Sequence, residues 1–124
     1  MTFEREFLDW MTSMNQTEKP GKEIIGFWFG LFETTTGYTM YLIGSKEFDE
    51  QDDDWACNCD YQPLNRDIDL PSHYVKGKEW EDVLHDSLEI ISNYISSATF
   101  RTSFLADAIA IAAGFNGGDF HRLK

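Results

Sequence analysis

Residues Glu23–Glu33, EIIGFWFGLFE, are apolar on both sides of an extended chain. Side chains alternate along a strand, so Ile25, Phe27, Phe29 and Leu31 fall on one side. Ile24, Gly26, Trp28, Gly30 and Phe32 fall on the other. A strand without a polar face has to be covered twice, which places it in the interior of its sheet. Gly26 and Gly30 share one face, and glycines there signal that a helix or a large side chain comes close to the backbone. The rest of the chain must supply this strand's neighbours and both of its covers.

The neighbours follow directly. Thr34–Gly37 reads as a hairpin connection, and Tyr38–Gly44, YTMYLIG, as the partner strand, rich in β-branched and aromatic residues. Beyond an acidic loop, Trp55–Tyr61 alternates, with Trp55, Cys57, Cys59 and Tyr61 inward and Ala56, Asn58 and Asp60 outward. This predicts a third strand, and three strands in succession make an antiparallel meander. Ile68 and Leu70, guarded by Asp67 and Asp69, suggest a short edge strand.

Helices are expected as the covers. Phe3, Phe7, Trp10, Met11 and Met14 form one stripe of a helix over 2–15, with Thr2 as its cap. A second helix, Lys78–Ser96, turns Trp80, Val83, Leu84, Leu88, Ile91, Tyr94 and Ile95 inward. A third is predicted from Thr99 through the alanine-rich stretch to Ala113, stopped by Gly114. The order α-β-β-β-(β)-α-α defines an α+β fold in which an antiparallel sheet of three to four strands packs against three helices. At 124 residues the expectation is one domain, 1–124, around one core.

The formal net charge of −12 bears on partners rather than on fold. It argues against nucleic acid and anionic membrane surfaces and for a basic protein partner. No apolar run is long enough to span a bilayer, and Met1–Met14 does not read as a leader. Two cysteines one residue apart on a strand have Cα atoms ~6.6–6.8 Å apart, poor bridging geometry. Reduced, partly buried thiols in a cytoplasmic protein are expected.

Half of this charge is concentrated in KEFDEQDDDWACNCDY, Lys46–Tyr61, which holds seven carboxylates and one cation. Glu47, Asp49, Glu50, Asp52, Asp53 and Asp54 are the candidate partner-binding residues, with Trp55 as a candidate aromatic anchor. The competing reading is a solvated loop. Trp55 has two readings as well, since the period-two pattern also assigns it to the core. Metal sites fit poorly. An EF-hand loop from Asp49 would put Asp54 where glycine is required and Asp60 where glutamate is expected, and one from Asp52 fails at Ala56. Zinc would need a second ligand pair beside Cys57 and Cys59, whereas His73, His85 and His121 are scattered. No nucleophile elbow or phosphate-binding loop accompanies them. The expectation is therefore no enzyme, no cofactor and no metal.

The stretch LFETTTGYTMYLIGSKEFDEQDDDWACNCDYQP resembles the central hairpin and loop of small acidic bacterial proteins of the toxin-immunity type. The resemblance lies in size, acidity and α+β layout over the middle third of the chain. It implies a protein that binds a cognate toxin, often a basic nuclease, and blocks its active site. No residue roles follow from it. From the residues alone, the alternative is a small ligand-binding or regulatory domain with a pocket over the Gly26 and Gly30 face.

Overall fold

The computed structural model describes residues 2–124. The chain runs α1 (Phe3–Thr17), β1 (Gly26–Thr34), β2 (Gly37–Ser45), β3 (Asp67–Asp69), α2 (Ser72–Val75), α3 (Trp80–Ile95), β4 (Ala110–Phe115) and β5 (His121–Arg122). Short 3-10 turns occupy Asp53–Cys57 and Thr99–Thr102. The strands form one sheet in the order β3-β2-β1-β4-β5. The doubly apolar strand is its middle member, antiparallel to β2 and parallel to β4. Trp28 faces Ile43 on one side and Ala112 on the other. Among the described residues no helix is long and apolar enough to cross a membrane.

The two faces of β1 are covered by different means. On one face Phe27, Phe29 and Leu31 pack with the α1 stripe and with Val83, Ile91 and Tyr94 of α3. Burying side chains of this size stabilises by ~1.5–3 kcal/mol each. The Thr2 hydroxyl accepts from the Arg5 amide at 3.1 Å and caps α1. The other face has no helix. There Trp28, Ile43, Ala110 and Ala112 pack beneath Phe48, Trp55, Ala56 and Phe120, which come from a loop and from the C-terminal segment.

Three expectations are corrected. The sheet is mixed and has five strands, because the segment read as a third helix is instead a strand. After the turn Thr99–Thr102, the Ser103 hydroxyl donates to the Phe100 carbonyl at 2.7 Å and the chain extends into β4. The open edge of β1 needs a partner, and the small side chains of Ala110, Ala112 and Ala113 fit between two covers. Gly114 is accordingly an in-sheet glycine and not a helix stop, since a side chain there would collide with the Asp119 carbonyl. A strand parallel to β1 requires a crossover, which α2 and α3 provide. The third helix of the fold is thus the single turn Ser72–Val75.

The second correction concerns Trp55–Tyr61. Only Tyr61 bridges to the sheet, opposite Gly44. The Asp52 carboxylate accepts from the Asp54 amide at 2.9 Å and starts a 3-10 turn instead. Consecutive residues Trp55 and Ala56 are both buried, while Cys57 and Cys59, expected inward, are exposed free thiols. The third is Trp80, expected on the inner face of its helix, which is 51% exposed at the first turn of α3.

Candidate functional site

The acidic segment leaves β2 at Ser45 and crosses the helix-free face of the sheet. The Ser45 hydroxyl donates to the Glu47 carbonyl at 2.9 Å, turning the chain as it leaves the strand. Phe48 and Trp55 then fasten the loop from below. Trp55 is 4% exposed and lies on Gly26, where an added Cβ would sit 2.7 Å from Cζ3 of the indole. Its ring meets Phe48 and Phe120 edge-on at centroid distances of 5.6 and 5.8 Å. The close approach signalled by the strand glycines is therefore made by large side chains, Trp55 over Gly26 and Tyr41 over Gly30.

Above this aromatic peg, Glu47, Asp49, Glu50, Asp52, Asp53 and Asp54 are all exposed. Several are used by the loop itself. Asp49 accepts from the Gln51 amide at 2.8 Å, and Asp60 accepts from the Lys46 amide at 2.8 Å. Glu50 pairs with Arg122 at 2.8 Å. The carboxylates of Asp53 and Asp54 accept no hydrogen bond within the described residues. The result is an ordered carboxylate ledge. No cluster of three or more His, Cys, Asp or Glu side chains among the described residues is arranged to hold a metal ion.

Beside the ledge a cleft of about 650 Å³ opens on the same face. Its floor is Trp28, Tyr41 and Ile43; Asp53, Ala56 and Cys57 form one wall, and the segment from Phe115 to Phe120 forms the other. Gly26 and Gly30 do not line it, because Trp55 and Tyr41 cover them. The Trp28 indole stacks on Phe120, 5.9 Å apart and 11° from parallel, and its Nε1–H donates to the Tyr41 hydroxyl at 3.2 Å. The Tyr41 hydroxyl in turn donates to Oδ1 of Asn116. Burial holds the Tyr41 phenol above its ordinary value, against the opposing effect of the Trp28 and Asn116 hydrogen bonds. Near neutral pH it is a protonated hydrogen-bonding group rather than a base.

Of the residues singled out from the sequence, the six loop carboxylates stand together on the ledge, and Trp55 lies beneath them in the core. The cleft was not anticipated, because its walls come from distant segments. Gly117–Gly118 between an apolar run and Phe120 is a turn signal compatible with a hairpin, but it does not by itself decide between helix and strand for the run before it.

Fold and site together define an acidic α+β protein whose mixed sheet carries helices on one face and a carboxylate-bearing loop on the other. Comparison of the chain with family models, with characterised proteins and with solved structures finds no match.

Proposed function

We propose that this chain is a cytoplasmic protein-binding domain, not an enzyme, that docks a basic protein partner on the ledge formed by Glu47, Asp49, Glu50, Asp52, Asp53 and Asp54. An immunity-type inhibitor of a basic toxin is the specific form suggested by the sequence resemblance. One observation carries the reading: the exposed carboxylates sit on a loop pegged by the half-buried Phe48 and the buried Trp55. A preorganised charged surface loses less freedom on binding than a floppy one. Clustered charge of this kind raises association rates by ~10–10³-fold at low salt. Trp55 contributes by fixing the ledge from below. Free, exposed thiols at Cys57 and Cys59 suit a reducing compartment.

The test uses a defined cationic probe, an octa-arginine peptide, followed by stopped flow at two ionic strengths. Changing Asp52, Asp53 and Asp54 together to Asn preserves the turn, since Asn also accepts from the backbone. The triple variant is expected to fold normally, associate about tenfold more slowly at low salt and lose most of its salt dependence. Identical rates in the two proteins would sink the proposal.

The second reading is a small ligand-binding or regulatory domain, favoured by the volume of the cleft, which is typical of ligand sites. It predicts a free ligand bound at Trp28 with an affinity that changing only Asp52 and Asp54, which lie outside the cleft lining, to Asn leaves unchanged.

A further inference from the structure

We infer that the cleft beside the ledge is a socket for an arginine side chain of the basic partner, an inference that rests on the docking reading above. The charge of the lining itself points one way, while Arg66 reaches the Tyr41 ring from the adjoining groove, 5.6 Å from its centroid. Asp53 and Asp119 border the cleft, and no lysine, arginine or histidine is among the residues that line it. Asp53 also belongs to the ledge, so the two surfaces are continuous.

Hydrogen-bonding capacity narrows the occupant further. The strongest donors of the lining are taken up internally, because Trp28 donates to Tyr41 and Tyr41 donates to Asn116. What remains for an occupant includes two carboxylates as the only charged groups, beside the Asn116 amide N–H groups, the weak Cys57 thiol and backbone N–H groups of the Gly117–Phe120 wall. A guanidinium has five N–H donors and no acceptor, so it complements such a lining where an anion would be repelled. The floor is aromatic, and a planar, weakly hydrated guanidinium stacks on aromatic rings more favourably than a strongly hydrated ammonium. The volume of about 650 Å³ admits the side chain together with part of the turn that carries it.

The experiment titrates 15N-labelled protein with N-acetyl-arginine amide, using N-acetyl-citrulline amide as its uncharged counterpart and N-acetyl-lysine amide as the alternative cation. Saturable shifts of the Trp28 indole N–H and of the Gly117 and Gly118 amides are expected with arginine, with little response to citrulline. Replacing Asp53 and Asp119 with Asn should weaken binding by about fivefold or more, as charge-assisted hydrogen bonds are lost. Cys57→Phe, at an exposed position on the lip, should close the socket while leaving octa-arginine association with the ledge intact. An unchanged unfolding midpoint verifies that this variant folds. Shifts confined to Asp49–Asp54, or arginine binding undiminished in Cys57→Phe, overturn the socket and leave the ledge standing. Equal responses to citrulline or to lysine overturn the assignment to arginine. No response to arginine or to octa-arginine anywhere removes both readings.

Discussion

Arg122 donates to Glu50 at 2.8 Å although 72 residues separate them in sequence, and the same guanidinium lies 4.9 Å over the Phe48 ring. The C-terminal edge strand thereby clamps the acidic loop from the side, while Trp55 holds it from below. Exposed ion pairs contribute only ~0–1 kcal/mol to stability, so the consequence of this clamp is local order rather than global stability. Arg122→Ala is expected to lower folding stability by no more than about 1 kcal/mol. Hydrogen exchange of the Glu47–Gln51 amides should accelerate, and exchange at parental rates would show that the clamp does not order the loop.

Trp55 and Gly26 form one packing unit. Trp55→Ala should cost ~3–5 kcal/mol of folding free energy, the usual range for a buried aromatic truncated to alanine. Gly26→Ala should cost ~1–3 kcal/mol, because the new methyl group meets the indole. Made in the Trp55→Ala background, the same methyl should cost far less. Urea titrations of the parent, the two single variants and the double variant measure this coupling, and strictly additive losses would contradict the contact.

The cysteines should behave as surface residues. Cys57→Ser and Cys59→Ser are expected to change stability by less than ~0.5 kcal/mol, as surface substitutions usually do. Both thiols should react with a thiol reagent under native conditions without prior unfolding. Protection of either until global unfolding would return it to the core that the alternating pattern suggested.

Alkaline pH should destabilise the fold. Tyr61 donates to Glu18 at 2.5 Å and Tyr74 to Asp86 at 2.6 Å. Burial, followed by the hydrogen bond and charge of the carboxylate, pushes both phenols above their ordinary value. Above pH ~10 the unfolded chain releases phenolic protons that the folded chain keeps. The contribution is therefore complete below that pH and is lost as pH rises towards the folded-state values. Replacing Tyr61 and Tyr74 with Phe should cost ~1 kcal/mol per hydrogen bond at neutral pH and flatten the decline between pH 9 and 11. Urea unfolding across that range tests it, and equally steep declines in parent and variant would assign the alkaline loss to other groups.

The elements that carry their own period are legible in the sequence. The stripe Phe3–Met14 makes α1, the two apolar faces of Glu23–Glu33 place β1 inside the sheet, and the spacing from Val83 to Tyr94 makes α3. Asp67–Asp69 could likewise be read as a guarded edge. The loop carboxylates were legible as an exposed cluster for a similar reason: charge of that density is not buried unpaired. Residues 109–115, IAIAAGF, lack this property. A short, wholly apolar run fits a buried helix and a doubly covered strand equally well, and only the vacant edge of β1 decides for the strand. Trp55–Tyr61 misled in the opposite way. Its alternation is real, but Asp52 caps a turn at Asp54 and Trp55 has Gly26 to pack on, so local hydrogen bonding and one tertiary contact override the pattern. The cleft depends on the fold most of all, because Tyr41 and Asn116, 75 residues apart, meet only when β4 lies parallel to β1 and returns through β5. Sequence periodicity reports which surfaces must be hidden, but the choice of what hides them is made by long-range pairing, for which no short stretch of chain carries a signal.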